Sequence, residues 1–192
     1  MKKQSVLKMT QTAVFMAIVT AMTFIPYVGY ISLPGGLSIT TLAVPVIIAC
    51  ILLGPASGTA VASTWGMTCL IYAVLGATAD AVIFTNPLIS VVPRVLVGII
   101  TSFAYIGLTK LIKNKTVPII ASSVIASLSN TVLVLTAIGL FGGAGVFRLG
   151  ATLKLIIQVA VSMNGLIELA LAVIIPLPIV LTLQKQMKKY KI

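Results

Sequence analysis

Residues Val117 to Leu140 read VPIIASSVIASLSNTVLVLTAIGL, a run of 24 residues without a charge. A helix needs about 20 apolar residues to cross the roughly 30 Å hydrocarbon core of a bilayer, so this run is long enough to span. It is not isolated. Comparable runs precede it at 88–112 and 56–75 and follow it at 153–183, and a first pair at 6–28 and 38–53 brings the predicted spans to six. Turn-forming residues punctuate the joints, with Pro34-Gly35-Gly36, Gly54-Pro55, Asn86-Pro87 and Gly142-Gly143. Composition agrees. Apolar residues make up 59% of the 192 and charged residues only 8%, against about a quarter charged in soluble domains. Mean hydropathy is +1.21, and a 20.0 kDa particle with so little polar side chain must meet lipid over most of its surface. The expected fold class is all-α: a single membrane-embedded domain over 1–192, built as a six-helix transmembrane bundle.

The net charge is +11, with 13 basic residues, 2 acidic ones and no histidine. In a soluble chain that balance points to nucleic acid, but the placement of the charges points to a bilayer. Lys2, Lys3 and Lys8 precede the first span, Lys110, Lys113 and Lys115 separate the fourth from the fifth, and Lys185, Lys188, Lys189 and Lys191 follow the sixth. These positions mark cytoplasmic ends under the positive-inside rule, which puts both termini inside and leaves no role for a nucleic-acid partner. The outer segments are then 29–37, 76–87 and 141–152. They are longer than the inner joints and predict a pocket open to the outside. So few acids and no histidine exclude a histidine zinc site, a Ser-His-Asp triad and a multi-carboxylate magnesium centre, so neither catalysis nor a metal is expected of this chain. Cys50 and Cys69 lie in apolar runs and are expected as small core residues rather than a disulfide. The first run lacks a small-residue cleavage site, so it is expected to be a span and not a removed signal peptide.

Several residues stand out within the spans. The second span is short and carries Pro45, so it must be short, tilted or kinked. Asn86 and Pro87 suit an N-cap and first helical position. Pro93 follows six residues later, so the fourth helix either kinks there or starts there. Arg94 cannot shed its proton; at the outer end of a span it either snorkels or turns its fork toward a carboxylate or phosphate in a cavity. Asn130, with Ser123 and Ser127 on the same face, is a lining candidate. On the sixth span Lys154, Gln158, Ser162, Asn164 and Glu168 share one polar face. Glu168 is the acid inside a span, at a cost on the order of 3 kcal/mol, and is either a substrate or proton site or a buried structural hydrogen bond. Trp65 is expected to pack rather than stack, and Asp80 to be a solvated loop acid. Small residues recur every fourth position at Ala13, Ala17 and Ala21 and at Gly58, Ala62 and Gly66. Such stripes let helices approach closely; the second is expected to pack within the chain and the first to meet another protein near the cytoplasmic face.

Taken in order, Ala13-x-x-x-Ala17, Leu53-Gly54-Pro55, Asn86-Pro87-Leu88 through Val92-Pro93-Arg94, Ser129-Asn130-Thr131 and Asn164-Gly165-x-x-Glu168 resemble the substrate-binding S components of energy-coupling factor (ECF) transporters. The resemblance covers nearly the whole chain and is strongest to the branch with pantothenate, hydroxymethylpyrimidine, folate and cobalamin binders. It implies high-affinity vitamin binding in an outward pocket closed by the loop after the first helix, here with Gly29, Pro34, Gly35 and Gly36. It implies docking of Ala13 and Ala17 on a transmembrane scaffold (T) subunit coupled to two cytosolic ATPases. ATP and its magnesium would sit on those partners, in keeping with the lack of a Walker A sequence here. The S component itself is expected to topple in the cell membrane to release substrate inside. The substrate-binding candidates are Arg94, Asn86, Asn130, Gln158, Asn164, Glu168 and Lys154. Pantothenate is the favoured vitamin, because cations and amides suit its carboxylate, hydroxyls and amide, while an aromatic content of 6% is thin for a flat ring. Folate, cobalamin and hydroxymethylpyrimidine are the alternatives within the family. Outside it stands a small homodimeric proton-coupled carrier titrating at Glu168, although one buried acid is sparse for a proton path and residues 1–96 and 97–192 show no internal repeat.

Overall fold

A computed structural model describes residues 2–32, 38–76, 83–141 and 162–189. In chain order the elements are α1 (Lys2–Phe24), β1 (Tyr30–Ser32), β2 (Ser38–Thr40), α2 (Ala43–Leu53), α3 (Pro55–Val74), α4 (Pro87–Leu111), α5 (Thr116–Phe141), α6 (Met163–Ile174) and α7 (Pro176–Lys189). The described residues are helical as predicted, apart from one antiparallel strand pair. Among the described residues, four segments are long and apolar enough to cross a membrane: Ser5–Phe24, Pro87–Leu111, Thr116–Phe141 and Gly165–Met187. Helix α3 is of similar length but more polar, and its position explains why. It packs against α1, α2 and α4, and Ser63 and Thr64 return their hydroxyls to carbonyls one turn back at 2.8 and 3.0 Å. A helix covered by protein can carry hydroxyls that lipid would disfavour.

The element boundaries correct three expectations. The first span stops at Phe24 rather than continuing to Val28, because Pro26 has no N–H to extend the ladder and Tyr27 turns to φ 63°. Residues 38–40, predicted as the start of the second helix, form strand β2 instead, with Tyr30, Ile31 and Ser32 facing Thr40, Ile39 and Ser38. Helix α2 is therefore only 11 residues long. Pro45 falls in its first turn, where backbone N–H groups have no intrahelical partner anyway, so the helix is short and not kinked. The sixth span breaks at Ile175–Pro176 into α6 and α7, again where proline removes a donor. Its predicted start at 153–161 lies outside the described residues. Helix α4, by contrast, runs unbroken through Pro93.

The connections give the bundle two distinct ends. The hairpin, the end of α3 and the start of α4 share one end; the α2–α3 joint and the turn at 112–115 share the other, along with Lys8, Lys110, Lys113, Lys115 and Lys185. The small residues of α3 lie on an internal seam. A Cβ on Gly58 would fall 2.6 Å from the Cα of Cys50 on α2, one on Gly66 would fall 2.8 Å from the Cα of Val91 on α4, and one on Gly98 would meet the Cβ of Ala62 at 2.7 Å. Close backbone approach of this kind takes the place of the hydrophobic effect in lipid. Cys50 and Cys69 are free and buried, and the Cys50 thiol donates to the Gly98 carbonyl at 3.5 Å. On α1, Phe15, Met16, Val19 and Met22 pack on the core, while Ala13, Ala17 and Ala21 face outward and are exposed together with Val14 and Ile18.

Candidate functional site

Pro93 lacks the N–H that would bond the carbonyl of Ile89 one turn back. The next residue repairs the defect: Arg94 Nη1 donates to Ile89 O at 2.9 Å. Arg94 stands seven residues into α4, about 10 Å along the axis from its start, and is only 5% exposed, so it does not snorkel. Its guanidinium carbon lies 5.3 Å from the ring centroid of Trp65 on α3 and 5.3 Å from that of Phe84 in the turn at 83–85. Such cation–π contacts gain strength when water is excluded. Phe84 is held in place because the Ser90 hydroxyl donates to its carbonyl. Asn86 caps α4 by accepting from Leu88 N at 3.0 Å, as predicted, so its oxygen is committed to the backbone. Trp65 corrects an expectation: it does more than pack, since the cation stands over its ring. Arg94 Nε is buried without a hydrogen-bond partner. With Nη1 engaged, the Nε–Nη2 edge remains, and that edge can grip a carboxylate by two parallel bonds.

The hairpin brings a second set of donors to the same place. Tyr30 on β1 stacks on Tyr72 with centroids 5.5 Å apart and planes inclined by 28°. Its hydroxyl is buried beside the Trp65 indole N–H and the Cys69 thiol, with no well-formed hydrogen bond to either. Burial pushes the Tyr30 phenol well above its ordinary range; Cys69 beside it adds to the rise and Arg94 opposes it. Tyr30 is therefore a neutral O–H donor. Arg94 Nε, Trp65 Nε1 and Tyr30 Oη thus form a group of neighbouring buried polar atoms, none in a well-formed hydrogen bond, with the Tyr30 oxygen the nearby acceptor for the Trp65 N–H. Each costs on the order of 1–3 kcal/mol unless a partner arrives, and the arrangement suits an acceptor-rich ligand. Gly29 makes the hairpin's entry possible, since a Cβ there would collide with the Met22 carbonyl on α1. Thr41 ties the other strand back, with its N–H on Gly29 O at 3.1 Å and its hydroxyl on the Val28 carbonyl.

Glu168 on α6 reaches the site from the far side of the hairpin. Its Oε1 accepts from Thr40 N at 2.6 Å. Helix α6 packs on β2 and begins at Ser162, whose hydroxyl oxygen accepts from Gly165 N at 3.3 Å. The structure thus gathers Arg94, Glu168 and Gly29 from the predicted set and adds Tyr30, Trp65 and Phe84. The available signal for Trp65 was a lone tryptophan among small and hydroxyl residues (Thr64, Gly66, Thr68) on a helix more polar than the other long ones. Asn130 Oδ1 and Ser123 Oγ are buried and unpaired on α5, with no contact linking them to Arg94 among the described residues. Lys154, Gln158, Asp80, Pro34, Gly35, Gly36 and the side chain of Asn164 lie outside the described residues. A cavity of 240 Å³ opens at the opposite end, beside Gln11, Phe15, Leu52 and Met187. Its lining is mostly apolar and holds no cation, so it lacks the polar chemistry found at Arg94.

Similarity to known proteins covers most of the chain. The family described as "ECF transporter, substrate-specific component" matches residues 7–180, from α1 into α7. The chain is 30% identical over 199 residues to the pantothenic acid transporter PanT of Lactococcus lactis subsp. cremoris (strain MG1363), covering 96% of this chain and 97% of that protein. It is 35% identical over 108 residues to the pantothenate transporter PanT of Leuconostoc mesenteroides subsp. mesenteroides, covering 54% of this chain and 52% of that protein. The family match runs through every described helix, including those that carry Arg94, Trp65 and Glu168. This chain belongs to the substrate-specific components of ECF transporters.

Proposed function

We propose that the protein is the pantothenate-binding component of an ECF importer in the cell membrane. The observation that carries this is Arg94: a buried cation whose one capped nitrogen leaves a bidentate edge beside the buried Tyr30 hydroxyl and Trp65 indole N–H. Pantothenate has one carboxylate for that edge and hydroxyls and an amide for Tyr30 and Trp65. The names of both relatives point to the same vitamin. Trp65 and Phe84 have Arg94 over their rings, an arrangement that serves an anion site better than the stacking of a flat pterin. Asn130, Gln158, Asn164 and Lys154 are the further groups we assign to the polar part of the ligand.

The chain crosses the bilayer six times with both termini in the cytoplasm. In support, the lysines gather at the end opposite the hairpin, which the positive-inside rule places inside, so the hairpin and Arg94 face out. Helix α2 is the weakest crossing, since its 11 residues reach only about 16 Å. The exposed face at Ala13 and Ala17 is the docking face for a transmembrane scaffold subunit. Two cytosolic ATPases on that scaffold supply ATP and magnesium.

Calorimetric titration of the purified chain with pantothenate and with its neutral alcohol pantothenol tests the assignment. Pantothenate should bind more tightly by about 2–5 kcal/mol, the scale for truncating one side of a buried charge pair. Equal affinity, or binding of folate, cobalamin or hydroxymethylpyrimidine in its place, would refute pantothenate. Uptake by the chain alone under a proton gradient would instead favour a carrier titrating at Glu168.

A further inference from the structure

Tyr30 and Thr40 face each other across the hairpin, and the neighbouring bond from Thr41 N to Gly29 O identifies them as a non-hydrogen-bonded pair. In an antiparallel ladder the N–H groups of such a pair point away from the partner strand. The Thr40 N–H therefore leaves the hairpin sideways, and Glu168 Oε1 on α6 receives it at 2.6 Å. An acid within a span is costly, and this one bonds a backbone amide of the hairpin rather than a cation. Across the pair, Tyr30 carries its buried hydroxyl to the neighbourhood of Arg94 and Trp65. One carboxylate on α6 thus holds one strand, and the opposite strand carries a wall of the site.

We infer that Glu168 is a positioning residue for a lid: its bond to Thr40 holds the β1–β2 hairpin over the site, sets the depth of Tyr30 and so governs how fast a bound ligand escapes. The inference about ligand escape rests on the site proposed above; the bond between α6 and the hairpin stands apart from it. The two ends of the bond can be removed separately. Glu168→Ala deletes the acceptor, whereas Glu168→Gln keeps an oxygen in its place. Thr40→Pro deletes the amide donor together with the Thr40 hydroxyl beside Glu168, and proline is tolerated there because the lost N–H belongs to no ladder bond.

Trp65 is the one tryptophan of the chain and is fully buried beside Tyr30 and Arg94, so its fluorescence reports lid position without any ligand. In detergent, E168A and T40P should each raise acrylamide quenching of Trp65 several-fold. The double variant should be no worse than either single change, and E168Q should recover most of the loss. With radiolabelled pantothenate, E168A and T40P should speed dissociation about 10- to 100-fold, the scale of a hydrogen bond to a charged group, while the association rate changes far less. Quenching unchanged in both E168A and T40P would overturn the lid. So would E168Q matching E168A while T40P behaves as wild type, since the carboxylate would then act through its charge. If E168A does not fold, T40P and E168Q carry the same comparison. If pantothenate fails to bind even the wild type, the assigned ligand falls, and Trp65 quenching still decides whether Glu168 holds the hairpin.

Discussion

Pro93 and Arg94 offer a way to separate what Arg94 does for the fold from what it does for the ligand. Arg94→Ala leaves Ile89 O without its donor, a loss of about 1–3 kcal/mol for a buried unsatisfied group. It also removes contacts to two rings at 5.3 Å, each worth about 0.5–2 kcal/mol when desolvated. Part of this is offset, because a buried charge disappears as well. A net destabilisation of about 1–3 kcal/mol is expected. For binding, the loss of a bidentate partner in a dry site is about 2–5 kcal/mol, which raises Kd by about 30- to 4000-fold at 1.4 kcal/mol per decade. Pro93→Ala puts back the N–H that Ile89 O lacks. In the R94A background it should therefore return at least about 1 kcal/mol of stability and none of the affinity. Thermal unfolding in detergent and calorimetry with pantothenate, run on wild type, P93A, R94A and P93A/R94A, complete the cycle. If P93A brought pantothenate affinity back to R94A, Arg94 would be a cap for the carbonyl that Pro93 leaves open and not the anion site.

Two further perturbations test the rest of the molecule. Ala13→Trp or Ala17→Trp fills the exposed face of α1 and should abolish ATP-driven uptake in vesicles holding the full complex while leaving the Kd for pantothenate nearly unchanged; weakened binding with normal complex assembly would place those alanines inside the fold. Gly66→Ala forces a Cβ to within 2.8 Å of the Val91 Cα, so α3 and α4 must part, and the thermal midpoint should fall by the equivalent of about 1–3 kcal/mol. An unchanged midpoint would mean that the seam between these helices is looser than the glycines require.

Much of the scaffold was legible because hydropathy and small-residue spacing are local properties. Val117–Leu140 reads as a helix in lipid whatever surrounds it, and Gly58, Ala62 and Gly66 signal close approach before the neighbour is known. The same locality explains the errors. Ser38–Thr40 looks like the lead-in to an apolar helix, and nothing in three residues announces a strand whose existence depends on Tyr30–Ser32 lying opposite. Trp65 looks like packing until Arg94 arrives from another helix.

The sequence by itself determined that the chain lives in a bilayer, roughly where its long helices run, that Pro93 withholds a donor, and that the charges of Glu168 and Arg94 are costly to leave in lipid. Those are consequences of side-chain chemistry and the desolvation of charge, and they hold for any packing. Only the tertiary structure decided how they are satisfied. Arg94 turns back on Ile89 and lies over Trp65 and Phe84, while Glu168 takes a backbone amide 128 residues away. The cost of burying a charge is set at its own position, but the partner that offsets it is whichever group the folded bundle delivers within hydrogen-bonding distance.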